Sequence, residues 1–256
     1  MKHYPSLPLR LIIFLLVLVG AMESASAASF SNEKLHYVIA YKWGLIHKDA
    51  GEATLTLSRH GSNYNISLAC RTKPWADKIF TVRDTLLATV RADGFRPLRY
   101  QKISHEGGKY GKDDISYSYS GNTVTGHCRR YRDKKGKISS SQKTLTATGK
   151  VYDMLTIFYY LRLIDYAALP KGAAVKASIF SGKRTEIITV KNLGKTTIKM
   201  RNGTKREAYH IQFKFTTGGG KKSSPDMNTW ISTDSRHIPL MLTGSLPIGQ
   251  VRCYLE

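Results

Sequence analysis

Cysteine is scarce in this chain. There are three, Cys70, Cys128 and Cys253, and none is closely spaced with another. That excludes small disulfide-stapled scaffolds and paired-cysteine zinc sites. An odd count leaves one thiol over, and spacing alone does not choose a pair. The histidines are dispersed, with no pair at metal-ligand spacing, so no metal site is predicted. His127 adjoins Cys128, and strand neighbours point to opposite faces, which argues against a cysteine–histidine nucleophile. Acidic residues are also few, 18 Asp and Glu against 40 Lys and Arg, for a net charge of +22. A field of that size draws anions and repels other cations. Long apolar runs are missing too. The longest, Leu11 to Val19, falls well short of the roughly 20 residues that span a bilayer.

That short run has a different use. Lys2, His3 and Arg10 precede or open it, and Ala25-Ser26-Ala27 follows with small residues where a signal peptidase needs them. The order predicts a cleaved signal peptide over residues 1–27 and a single β-rich domain over 28–256. The expected location is the periplasm, with secretion as the alternative. Cleavage removes Lys2, Arg10 and Glu23, so the net charge falls by one. The anions on offer outside the cytosol are lipopolysaccharide and other phosphorylated lipids, acidic glycans and anionic membrane surfaces. Nucleic acid is not expected as a partner.

Within the mature chain, alternation of period two dominates. Leu35, Tyr37, Ile39, Tyr41 and Trp43 share one face, with Lys34, His36 and Lys42 on the other. Tyr64, Ile66, Leu68 and Cys70 repeat the pattern, as do Ile115, Tyr117 and Tyr119, then Val175, Ala177 and Ile179. Turn signals separate these runs: His60-Gly61-Ser62-Asn63, Ser120-Gly121-Asn122, Ser181-Gly182-Lys183 and Arg201-Asn202-Gly203. Short strands at this spacing predict an antiparallel meander. Val151 to Tyr166 breaks the rule. Its apolar residues Val151, Met154, Leu155, Ile157, Phe158, Leu161 and Ile164 fit one broad helical face, and Pro170 and Gly172 stop it. The fold class is therefore all-β and mainly antiparallel: a curved meander sheet, or an open or closed β-barrel, with one amphipathic α-helix. Lys134 to Gln142 reads as a mobile loop or long hairpin tip, and Thr216 to Pro225 as a flexible connection.

Catalytic signatures are weak. Gly220-Lys221 follows other glycines but lacks the spacing and the helix of a phosphate loop. Ser62 and Ser245 sit beside glycines without the nucleophile-elbow pattern. Asp153 near the helix start complements its dipole. Arg162, bracketed by Leu161 and Leu163, is expected to reach a carboxylate such as Asp84, Glu106 or Asp234. Tyrosines near basic residues, among them Tyr100, Tyr110, Tyr131, Tyr159 and Tyr160, suit sugars or lipid headgroups, and equally suit strand packing.

Several segments together resemble a known family. Gly44-Leu45-Ile46 with Ala50-Gly51-Glu52-Ala53, Lys78 to Asp84 followed by Pro97, and Glu106 to Tyr110 are similar to the opening of the DUF3108 family. The helix Tyr152 to Arg162 is the most specific match, and Trp230 to Pro239 the second. The resemblance covers nearly the whole mature chain. It implies a single curved antiparallel sheet or open barrel carrying a helix, and it carries over no catalytic residues and no cofactor.

The leading functional expectation is a non-enzymatic envelope protein that binds an anionic lipid, lipopolysaccharide or acidic glycan. Its groove would be formed by Tyr159, Tyr160 and Arg162 facing Trp230, Asp234 and Arg236. Alternatives are an envelope-polymer enzyme using Asp84, Glu106, Asp153 and Asp234, and a scaffold that binds an envelope protein through a sheet edge. Peripheral contact with a membrane is compatible with the first.

Overall fold

The computed structural model describes residues 30–245 and 249–256, apart from the side chains of Trp43 and Ile46. The predicted signal peptide lies outside the described residues. Eight strands run as an antiparallel meander: β1 (Glu33–Trp43), β2 (Ile46–His60), β3 (Asn63–Thr72), β4 (Val82–Arg91), β5 (Arg96–Glu106), β6 (Lys109–Ser120), β7 (Thr123–Lys134) and β8 (Lys137–Thr148). A two-residue strand, β9 (Val151–Tyr152), and a helix follow. Six more strands complete the chain: β10 (Ala174–Phe180), β11 (Thr185–Lys199), β12 (Lys205–Thr217), β13 (Met227–Ser232), β14 (Pro239–Ser245) and β15 (Gln250–Leu255). Among the described residues the α-helices are a single turn, α1 (Pro74–Asp77), and α2 (Thr156–Leu163), and a 3-10 turn spans Asp93–Phe95.

Among the described residues all fifteen strands belong to one sheet. β15 returns to pair antiparallel with β1, Tyr37 opposite Leu255 and Lys42 opposite Gln250. β8 and β9 are left at the two ends of the strand order, so the sheet is a nearly closed barrel with an unbonded seam. β9 pairs parallel with β10, and α2 is the crossover between them.

The seam is closed by side chains. Phe180, at the end of β10, is fully buried and stacks on Tyr117 of β6 at 5.9 Å. It lies on the bare backbone of Gly126 in β7, where a Cβ would come within 2.5 Å of the ring. A glycine is required there because another chain segment occupies the side-chain space.

The core follows from the alternation. Leu35, Tyr37, Leu55, Leu57, Tyr64, Ile66, Ile188, Val190, Ile211 and Ile231 point inward to one apolar cluster, and α2 packs against them. Each large side chain so buried contributes roughly 1.5–3 kcal/mol. Toward the opposite end the inner face turns polar, because Asp84, Lys102, Glu106 and Asp113 lie on rows shared with core positions.

One local expectation is corrected and another is resolved. The helix is shorter than Val151–Tyr166: Val151 and Tyr152 pair with Ser178 and Ile179 as a strand, and Ile164 is already extended. The parallel ladder satisfies backbone groups that a longer helix would have left to its first turn. Of the two expectations for Lys134 to Gln142, the long hairpin tip is the one found, with Lys135-Gly136 joining β7 to β8. Its residues from Lys137 to Thr144 are exposed, and β8 is an edge strand paired on one side only, so the apolar alternation that marks the other strands is missing there.

Candidate functional site

Helix α2 is held at both ends, and its start is built around one buried carboxylate. Asp153 is fully buried. Its Oδ1 accepts the N–H groups of Leu155 (2.9 Å) and Thr156 (2.8 Å), while its own N–H donates to Thr156 Oγ1 at 2.9 Å. This reciprocal pair satisfies donors that a helix start leaves free. Tyr117 donates to Oδ2 at 3.5 Å. Burial outweighs these bonds and raises the carboxyl to about 6. The expected dipole role of Asp153 is thus a direct cap.

At the other end, the carboxylate that Arg162 reaches is Glu33, not Asp84, Glu106 or Asp234. The guanidinium is almost wholly buried and forms a two-pronged ion pair with Glu33, Nη2–Oε2 being 3.1 Å. It lies over the rings of Phe30 (4.8 Å) and Tyr159 (5.1 Å). Its Nε donates to the Arg236 carbonyl at 3.1 Å, and His237 Nδ1 donates to the Arg162 carbonyl at 3.0 Å. The helix therefore meets both the start of β1 and the β13–β14 connection. Those segments are far from it in sequence, and this is why the sequence misplaced the partner.

The β13–β14 connection is built for this contact. Asp234 Oδ1 accepts from Ser232 Oγ (2.9 Å) and from the Arg236 N–H (3.1 Å). His237 has a positive φ of 46°, and Ser232 Oγ accepts the Ile238 N–H at 2.8 Å. Tyr37 donates from β1 to the Pro239 carbonyl at 3.0 Å.

The six residues expected to share a groove are thereby distributed over four places. Tyr159 and Arg162 are core residues. Burial raises the Tyr159 hydroxyl above its ordinary value, as does neighbouring Glu33. Trp230 lies on the outer face, stacked on His210 at 4.6 Å. Asp234 and Arg236 are exposed, with Asp234 3.5 Å from Arg206. Tyr160 lies elsewhere, in the wall of a sizeable cleft.

That cleft has a volume of about 660 Å³. Tyr152 and Tyr160, with ring centroids 4.7 Å apart, form part of its wall with Leu163, Ile164, Leu169 and Val175. Asp93, Asp165 and Lys150 bring charge. The two acids have other work: Asp93 faces Arg96 at 3.4 Å, and Asp165 accepts the N–H groups of Ala167 and Ala168 at 3.0 Å. A second cleft of about 300 Å³ shares Phe95, Lys150 and Tyr152 and adds Arg96 and Tyr119. Phe95, at a positive φ of 50°, is buried against Phe30 and Tyr159, and that aromatic contact holds the β4–β5 turn at the cleft wall. Apart from Tyr160, no local pattern marks this cleft, because its walls come from the β4–β5 turn, β9, α2 and β10.

The four acids considered for catalysis do not converge. Asp153 caps α2, and Asp234 lies outside the barrel. Asp84 and Glu106 do meet, at Lys102 Nζ, 3.0 and 2.9 Å away. Burial and the nearby Glu106 raise Asp84, whereas the bond from Lys102 lowers Glu106. Next to them Asp113 is paired with Arg130 (3.0 Å) and Arg132 (2.7 Å). Among the described residues no group of three His, Cys, Asp or Glu side chains is placed to hold a metal ion. The three cysteines are free thiols. Burial raises Cys70 and Cys128 to about 11 and Cys253 to about 12, which leaves them without the thiolate a nucleophile needs.

The architecture defines the class first: a barrel-like, single-sheet β protein with an internal helix. It shares that fold with a β-barrel-like protein of the domain of unknown function DUF1849 from Brucella abortus, at a TM-score of 0.59. The two are 12% identical, and the match covers 90% of this chain and 97% of that one. At this identity the likeness carries the fold alone. The family is narrower. The profile of DUF3108, a protein family of unknown function, matches residues 36–256, and the chain belongs to that family. It matches none of the curated proteins.

Proposed function

We propose that this chain is an exported envelope protein that binds an anionic amphiphile in the cleft between α2 and the β4–β5 turn. The observation that carries the reading is the cleft itself: about 660 Å³, with an apolar and aromatic wall and Lys150 at its edge. Ligand sites are commonly concave, mostly apolar and supplied with a few polar groups, at volumes of roughly 300–1,000 Å³. The apolar portion of the ligand lies against Tyr152, Tyr160, Leu169 and Val175. Its anionic group faces Lys150, and Arg96 where the smaller cleft joins. The net charge of +22 favours such ligands over cationic ones. The signal-like N-terminus supports export to the envelope, where such amphiphiles are found.

The test is retention of lysophosphatidylglycerol, compared with lysophosphatidylcholine, by the mature protein in native mass spectrometry. Ala168 is exposed and lines the cleft, so Ala168→Trp fills the space without disturbing the core. Retention of the anionic lipid is expected to fall roughly tenfold or more, which corresponds to about 1.4 kcal/mol. Equal retention by the variant, or none by the wild type, would remove the cleft as the binding site.

A further inference from the structure

The large apolar side chains that the fold leaves most exposed are not scattered. Leu45, Ile79, Phe80 and Ile138 are 105, 76, 51 and 64% exposed, and each lies at a hairpin tip or loop. Leu45 is in the β1–β2 turn, Ile79 and Phe80 are in the β3–β4 connection, and Ile138 is the second residue of β8, just after the β7–β8 turn. In an antiparallel meander every second turn falls at the same end. These connections, with β5–β6 between the second and third, therefore form one continuous rim of the barrel. Phe80 shows the adjacency directly, since its ring lies against Gly107 in the β5–β6 turn. Exposed lysines occupy the same tips, among them Lys78 and Lys137. The cleft lies at the other end, beside the β4–β5 turn.

From this juxtaposition we propose that the rim docks on an anionic lipid bilayer. The apolar tips enter the boundary between headgroups and acyl chains, and the lysines meet lipid phosphates. Interfacial binding of this kind combines buried apolar area with attraction to anionic lipid. A protein partner fits the rim less well. Protein interfaces have a continuous apolar centre depleted in lysine, whereas these tips stand on separate hairpins with lysines between them. A second copy would set two basic rims face to face, which their charge opposes. The proposal does not depend on the cleft, because the two lie at opposite ends.

Co-sedimentation with large vesicles tests it, using the mature protein at physiological ionic strength. Vesicles of phosphatidylglycerol mixed with phosphatidylcholine are compared with phosphatidylcholine alone. The wild type is expected to sediment with the anionic vesicles. The triple variant Leu45→Ser, Ile79→Ser, Ile138→Ser should lose that binding by roughly tenfold or more. All three positions are exposed, so its thermal unfolding should match the wild type. Leu87→Ser, on the barrel wall, and Ala168→Trp, in the cleft, should bind vesicles as the wild type does. Absence of sedimentation with anionic vesicles would overturn the proposal, and so would undiminished binding by the triple variant. Lipid-free self-association that the triple variant abolishes would overturn it in favour of an interface between copies.

Discussion

Burying Asp153 without an ionic partner has a consequence that one substitution can isolate. Burial holds its carboxyl at about 6, against an ordinary 3.8. Between those values the folded protein keeps a proton that the unfolded chain has released. Stability from this group is therefore complete below the ordinary value and is lost as pH rises toward 6. Across that window the loss is about 3 kcal/mol, at about 1.4 kcal/mol for each pH unit. Asp153→Asn keeps an oxygen to cap Leu155 and Thr156, and offers its amide to Tyr117, without the charge. Other carboxylates titrate in the same range, so the quantity to measure is the difference between variant and wild type. Urea unfolding at a series of pH values provides it. Relative to wild type, the variant should gain about 3 kcal/mol between pH 3.5 and pH 7 and then level off. A flat difference would refute the burial argument. A difference that fell with pH would mean that the cap and helix dipole hold the carboxyl below its ordinary value.

Two further outcomes concern the closure of the barrel. Arg162→Met should cost about 3–5 kcal/mol in urea unfolding, because it strands the Glu33 carboxylate among Phe30 and Tyr159; adding Glu33→Gln should recover part of the loss. Gly126→Ala should destabilise by roughly 1–3 kcal/mol, since the new methyl group meets the Phe180 ring. Shrinking that ring with Phe180→Leu should restore part of the stability in the double variant, and a mild Gly126→Ala with no such coupling would mean that the seam is not closed by this contact.

The strands with clean alternation were legible in the chain, Glu33–Trp43 and Asn63–Thr72 among them, because a sheet with one face in the core imposes period two on its sequence. The strands that escaped notice were Val82–Arg91, Arg96–Glu106 and Lys137–Thr148. In the first two the inner face carries Asp84, Lys102 and Glu106, so polar residues stand where alternation calls for apolar ones. Val38 and Ala40 are also buried, on the outward face of β1, although alternation would expose them. The β11–β12 hairpin reaches across that outer surface, and Arg201 at its tip grips Asp49 at 2.8 and 2.9 Å.

The site was less legible than the fold. Tyr160 was named from sequence and does line the cleft, but the other walls come from strands and turns that no local pattern connects.

By itself, then, the sequence determined the local features. These are the all-β class, the hairpin turns, the helix with Asp153 at its start, the basic charge and the family, since each is written in neighbouring residues or in composition. Tertiary structure decided which distant groups meet. It paired Arg162 with Glu33, 129 residues away, seated Phe180 on Gly126, opened the cleft beside Tyr160 and left four apolar tips uncovered at one end. Local periodicity follows from bonds within a turn or ladder. Which surfaces come together depends on how fifteen strands coil, and that is settled only when the whole sheet closes on its helix.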